Sequence, residues 1–245
     1  MNYKAVLQYE GTRYRGWQTQ GNTEHTIQGK LEALLSRMEG TSVEVHGSGR
    51  TDAGVHAAGQ VINFRSSCGK TPGEIKDYMN QYLPEDIVVL SVEEADPRFH
   101  ARLHATRKTY VYRIWNSPVR DVFGRRFQTW MQEPLDVEAM RRAALLLSGT
   151  FDYRAFCSLK RFKKSTVRTV EEIRVEQHGS LIELSFTGNG FLYHMVRIMT
   201  GTLVEVGLGL REPEEMTAIL NSQDRSNAGR LMPPEGLTLQ CVEYS

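Results

Sequence analysis

One order of local patterns, β-α-β-β-α-β, is written twice along these 245 residues, and it restricts the fold more than any composition figure does. Tyr3, Ala5, Leu7 and Tyr9 alternate with polar residues, which predicts a half-buried strand. Ile27, Leu31, Leu34, Leu35 and Met38 share one stripe of a helix that opens at Thr26 and stops at Gly40. Strands are expected over 43–46 and 59–65. Thr71-Pro72 then opens a second helix with Ile75, Tyr78 and Met79 facing inward, and a strand over 87–92 closes the series. A polar, arginine-rich link over 96–107 follows. The order then recurs, with a strand over 108–115, a long loop past Pro118 and Gly124, and a helix over 136–148. Val137, Met140, Ala144 and Leu147 form the stripe of that helix. Strands over 167–176 and 181–186 are joined by His178-Gly179-Ser180, a hairpin signal. An apolar helix over 191–206, a short helix near Pro213 and a strand over 237–242 complete the chain. The expected class is α+β, with two ferredoxin-like halves, 1–105 and 106–245, forming a mainly antiparallel sheet with helices packed on it. The halves share order and not residues.

Between the second and third strands of the first half lies Gly47-Ser48-Gly49-Arg50-Thr51-Asp52-Ala53-Gly54-Val55-His56-Ala57. Its glycines permit backbone conformations closed to other residues and a close approach to a ligand. Inside it sit a cation, a hydroxyl and one carboxylate. Two readings are open at this point. Asp52 caps the amides of its own turn, or the two strands present it as a reactive group. A Walker phosphate loop is excluded, since no Gly-x4-Gly-Lys-Ser/Thr string occurs. A dinucleotide fingerprint fails because Asp52 stands where its third glycine belongs. An aspartic protease dyad needs a second tripeptide like Asp52-Ala53-Gly54 to supply its other carboxylate, and none exists.

The net charge of +1 does not itself announce a polyanion partner, but the distribution does. Residues 98–126 hold eight basic side chains and one acidic, Asp121, and residues 154–168 hold six basic and none acidic. Acids gather elsewhere, at Glu93, Glu94, Asp96, Glu212, Glu214 and Glu215. A charge run alone is usually a solvated face. Interleaving with Tyr110, Tyr112, Trp115, Phe156 and Phe162 points instead to a groove for nucleic acid. Cys68, Cys157 and Cys241 are isolated thiols of a reducing compartment, with no CxxC, and there is no HExxH, so no metal site is expected. No apolar run approaches the length of a membrane span.

The string from Gly49 to Ala57 resembles, position for position, the signature of the tRNA pseudouridine synthase A family. Tyr9-Glu10-Gly11 and Gly16-Trp17-Gln18 are similar to its opening pattern, with Glu10 where the family commonly has Asp. Phe99-His100-Ala101-Arg102 with Ala105 and Lys108-Thr109-Tyr110-Val111-Tyr112 resembles its second motif. Asn189-Gly190-Phe191-Leu192-Tyr193-His194-Met195-Val196-Arg197 resembles its third, and Pro233-Pro234-Glu235-Gly236-Leu237 its last. The likeness runs in order along nearly the whole chain and is loosest over 153–164.

The resemblance implies an isomerase that converts uridine to pseudouridine at positions 38, 39 and 40 of the tRNA anticodon stem-loop. It implies a catalytic cleft between the halves, a homodimer and a cytoplasmic setting. Asp52 takes the role of nucleophile. Arg197 matches the arginine that pairs with it, Tyr110 the tyrosine that stacks on the target base, and Arg50 the arginine that holds the flipped nucleotide. Breaking N1–C1′ and joining C5 to C1′ changes no oxidation state and needs no cofactor. The carboxylate can attack C6 of the ring or act at the sugar, and both routes stay open. Its ordinary pKa of about 3.9 keeps it ionised, and a cation must offset burial under a base. Other readings remain for each residue: Arg197 snorkelling to solvent, Tyr110 packed on its sheet, His56, His194 and Trp17 as structural residues. For the whole chain the alternatives are a catalytically silent RNA-binding protein or RNA chaperone on the same scaffold, and a binder of a small phosphorylated metabolite.

Overall fold

The alternation at Tyr3, Ala5, Leu7 and Tyr9 becomes strand β1 (Asn2–Tyr9), and all four side chains are buried. The computed structural model describes residues 1–21, 23 and 25–245. They group into two units, Met1–Thr106 with Leu239–Ser245, and Arg107–Thr238.

In the first unit β1 lies between β3 (His56–Arg65) and β4 (Ile87–Ala95), antiparallel to both. Short β2 (Val45–Gly47) runs antiparallel along the far end of β3, with Val45 opposite Phe64. Gly59, nearer the start of β3, lies against Gln240 of the closing strand β10 (Leu237–Tyr244). Helix α1 (Ile27–Glu39) begins where Thr26 Oγ1 accepts from Gly29 N–H and ends at Gly40, whose φ of 77° needs a residue without Cβ. Helix α2 (Pro72–Tyr82) opens with a reciprocal box: Thr71 accepts from Glu74 N–H and Glu74 accepts from Thr71 N–H. Ile75 and Met79 are fully buried; Tyr78 is half-buried and tilts against Tyr82.

In the second unit β5 (Ala105–Asn116) pairs antiparallel with β9 (Leu181–Gly188), β9 with β8 (Val167–His178), and β8 with β7 (Gly149–Asp152). Strand β6 (Thr129–Met131) lies parallel to β5, Ile114 opposite Thr129. Helix α3 (Val137–Leu147) is capped by Asp136 and packs on β8, and the expected stripe of Val137, Met140, Ala144 and Leu147 is buried. Helix α4 (Met195–Gly207) is enclosed on nearly every side, and α5 (Glu215–Ser222) follows it. The class is α+β with a mainly antiparallel sheet, as expected.

Three features differ from the sequence reading. Strands β6 and β7 are absent from it, because three or four residues carry too little alternation to register as a period of two. The helix expected from Phe191 starts at Met195. The apolar run misleads there, since Gly190 at φ 159° and His194 at φ 65° hold the backbone out of the helical region. The last residues, 239–245, pack in the first unit although they end the chain, a partnership that periodicity does not encode. Among the described residues no helix is long and apolar enough to cross a membrane.

Candidate active site

The loop between β2 and β3 is fixed by a buried polar network. Ser48 N–H donates to Val61 O at 2.8 Å, and Ser48 Oγ donates to Gln60 Oε1 at 2.6 Å. Gln60 Nε2 donates to Gly49 O at 3.0 Å and to the Tyr9 hydroxyl at 3.4 Å. Tyr9 and Thr51 share a hydroxyl–hydroxyl bond of 2.8 Å. Ser48 and Gln60 are fully enclosed, so each unmade bond would carry a full desolvation cost. Burial pushes the Tyr9 phenol up to about 12, against the bonds from Thr51 and Gln60, so it stays protonated at neutral pH. A bulge in the β1–β3 pairing between Leu7 and Tyr9 re-aims the strand at the point where Tyr9 meets this network.

A second clamp comes from the chain after β1. Trp17 N–H donates to Thr51 O at 3.0 Å, and Gly11 N–H donates to His56 Nδ1 at 3.0 Å. Trp17 is 3% exposed and lies against Gly47, where a Cβ would stand 2.5 Å from its ring. Trp17 and His56 thus hold the loop as structural residues. Val55 N–H donates back to Asp52 O, closing the turn with Gly54 at φ 81°. What the braces leave outward is the chemistry: Asp52 is half-buried and Arg50 is exposed.

Gly11 shows how tight the clamp is. A Cβ there would stand 2.0 Å from Val55 O and 2.6 Å from its carbonyl carbon, both backbone atoms. Gly11→Ala is therefore expected to lower unfolding stability by about 3 kcal/mol, read as a lower urea midpoint with unchanged slope. An unchanged midpoint would show that the 11–17 segment does not bear on the loop.

The second unit carries the other two residues. Tyr110 on β5 stands opposite Phe186, 8% exposed, with the Phe191 ring edge-on at 5.3 Å and 87°. Arg197 is 8% exposed, in the first turn of α4, and its Nε donates to Met232 O at 2.7 Å. It does not snorkel to solvent. The closing motif is structural: Tyr112 donates to Pro233 O at 2.8 Å, and a Cβ on Gly236 would stand 2.6 Å from the Tyr112 ring. These bonds fix the segment that supplies the carbonyl for Arg197. His194 stands at the N-cap position of α4 without a side-chain cap, its Nδ1 lying 2.9 Å from Ser158 Oγ.

Of the basic residues over 98–126, Arg107 pairs with Glu171 and Arg113 with Glu183 on the sheet, while Arg120 lies over the Trp130 ring at 4.4 Å. Arg98, Arg102, Arg125, Lys160, Arg161, Lys163 and Lys164 are exposed. Sequence reasoning missed the network of Tyr9, Ser48 and Gln60. Its one signal was Gln60, a polar residue inside an apolar strand.

A family model described as tRNA pseudouridine synthase matches residues 5–103 and 143–245. The chain is 46% identical over 243 residues to a tRNA pseudouridine synthase A from Bacillus sp. (strain KSM-64), covering 99% of each. It is 43% identical over 243 residues to a tRNA pseudouridine synthase A 2 from Bacillus anthracis, again 99% of each. Against a tRNA pseudouridine synthase A from Brevibacillus brevis it is 46% identical over 241 residues, 98% of each. With a match that takes in both the braced Asp52 loop and the start of α4, the chain belongs to the tRNA pseudouridine synthase family.

Proposed function

We propose that the protein isomerises uridine to pseudouridine in tRNA, with Asp52 as nucleophile and positions 38, 39 and 40 of the anticodon stem-loop as targets. The observation that carries this reading is the Asp52 loop: a family motif held rigidly at its backbone while its carboxylate is left half-buried. Rigid presentation matters because the base must be flipped from its stack, at a cost of a few kcal/mol, onto a carboxylate that is already in place. Asp52 bonds to the substrate, at C6 or at the sugar, while N1–C1′ breaks; the uracil turns, C5 joins C1′, the bond to Asp52 breaks, C5 gives up its proton and N1 gains one. Atoms and oxidation state are conserved, so no cofactor enters. In this reading Arg50 holds the flipped nucleotide, Tyr110 gives its ring face to the base, and Arg197 is the cation that the resemblance pairs with Asp52. The enzyme acts as a homodimer in the cytoplasm, as its resemblance implies.

Incubation with an unmodified tRNA transcript, followed by pseudouridine mapping, tests the reading; conversion is expected at one or more of the three positions. An unconverted anticodon arm would reject it. Binding should also weaken steeply with salt, because the exposed arginines and lysines of 98–126 and 154–168 displace counterions from phosphates. A plot of log K against log salt is expected to fall with a slope of about −4 or steeper, as for five or more phosphate contacts.

A further inference from the structure

The first unit carries a cleft of about 610 Å³ whose lining includes Glu44 but none of the residues from Gly47 to Ala57. Its size falls inside the usual range for a small-ligand pocket, about 300–1,000 Å³. His46 from β2 and His100 from the link after β4 stack across it, ring centroids 4.7 Å apart at 24°. Arg65 at the end of β3, Arg98 and Phe99 also line it.

This wall is built, not incidental. Asn2 Nδ2 donates to Asp96 O at 2.8 Å and to Phe99 O at 3.0 Å, and Ala101 N–H donates to Asn63 Oδ1 at 2.8 Å. Tyr244 donates to Ala101 O at 2.7 Å. The backbone carrying Arg98 and His100 is thus tied to β1, β3 and β10. His100 and His104 have the i,i+4 spacing of a helical metal pair, but they sit in a turn and their Nδ1 atoms serve backbone amides. His100 Nδ1 accepts from Arg102 N–H at 3.1 Å, and His104 Nδ1 accepts from His100 N–H at 3.2 Å. Among the described residues no group of three metal donors forms. With Nδ1 occupied as an acceptor, neutral His100 carries its proton on Nε2, a donor.

We propose that this cleft binds a phosphate of the tRNA strand at a nucleotide other than the target, through Arg65, Arg98 and the His46–His100 pair. The proposal rests on the reading of the chain as a tRNA-modifying enzyme. The charged groups around the two rings are few. Arg65, Arg98 and Arg102 are cations, and His104 is a third imidazole. Glu44 Oε1 lies 3.6 Å from His46 Nδ1, and the Asp96 carboxylate is engaged by Arg98 N–H at 2.7 Å. Burial holds the His100 ring below the usual histidine range, with His46, His104 and Arg102 adding repulsion. An incoming phosphate offsets that repulsion at His100, so binding draws a second proton onto its ring, at the cost of the Nδ1 bond from Arg102 N–H, and is tighter below neutral pH than above it.

The test follows the imidazole signals of histidine-labelled wild-type protein, assigned with His46→Gln and His100→Gln. Inorganic phosphate and unmodified tRNA transcript are added separately at about pH 6 and about pH 8. The expected result is that tRNA shifts both imidazoles and raises the titration midpoint of His100. The double variant should bind tRNA about tenfold more weakly at the lower pH, with a salt slope shallower by about 1, and lose less at the higher pH. Imidazoles that ignore tRNA, or a variant with unchanged affinity and slope at the lower pH, overturn the proposal. A response to inorganic phosphate but not to tRNA also overturns it, since the cleft then takes a free anion. Conversion is assayed separately on the wild type. Shifted imidazoles without conversion would reject the functional reading and leave the phosphate site standing.

Discussion

Asp52→Asn is expected to reduce pseudouridine formation at least about 10⁴-fold, the scale of loss seen when a nucleophile is removed, while tRNA affinity and fold persist. The substitution is isosteric, so the test isolates chemistry. An amide oxygen neither carries the charge nor supplies the electron pair that a covalent step at C6 or at the sugar demands. The bonds that hold the backbone of the loop survive the change. The turn is closed by the backbone oxygen of residue 52, which asparagine keeps, and the loop is braced through Ser48, Thr51, Gln60 and Tyr9. Single-turnover conversion of an unmodified transcript, with filter binding and a urea melt on the same preparation, checks all three. Full activity in this variant would remove Asp52 from the chemistry and return the loop to a purely structural role.

What could be seen in the sequence divides along the range of the interaction. The helix starts at Thr26 and at Thr71-Pro72 are written within a few residues of their partners, and the structure forms both, adding the Glu74 half of the second cap and a cap at Asp136. The alternation of β1 and the stripe of α3 were legible for the same reason. The brace on Asp52 was not, because it depends on which residue of β3 faces Tyr9, and a bulge sets that register. The start of α4 was hidden by an apolar run whose backbone turns left-handed at His194, a departure that no side-chain periodicity reports. The wall of the His46–His100 cleft brings together side chains from four separate stretches of the first unit, so only folding makes them a set. At the candidate site the motif itself was plain. The reasons for its flanking glycines, a carbonyl 2.0 Å from a Gly11 Cβ and an indole 2.5 Å from a Gly47 Cβ, became visible only with the packing.

Arg197→Met carries the other large expected effect, and it separates a structural arginine from a functional one. A guanidinium 8% exposed in the first turn of an apolar helix must be satisfied, and Met232 O supplies one bond at 2.7 Å. Losing that donor leaves the carbonyl short of a partner and should cost about 2 kcal/mol of stability. If this were its whole role, the variant would be less stable and still active below its melting temperature. In the reading proposed here Arg197 also supplies the positive charge beside which the Asp52 carboxylate works, so the single-turnover rate should fall at least about 100-fold. Arg197→Lys restores the charge without the planar fork, and it should recover much of the rate while stability stays low. Single-turnover rates for wild type, Met and Lys variants at a temperature where all three are folded, beside their urea midpoints, decide the matter. A methionine variant that keeps the wild-type rate would leave Arg197 a structural role only, and the cation beside Asp52 would have to be another of the arginines.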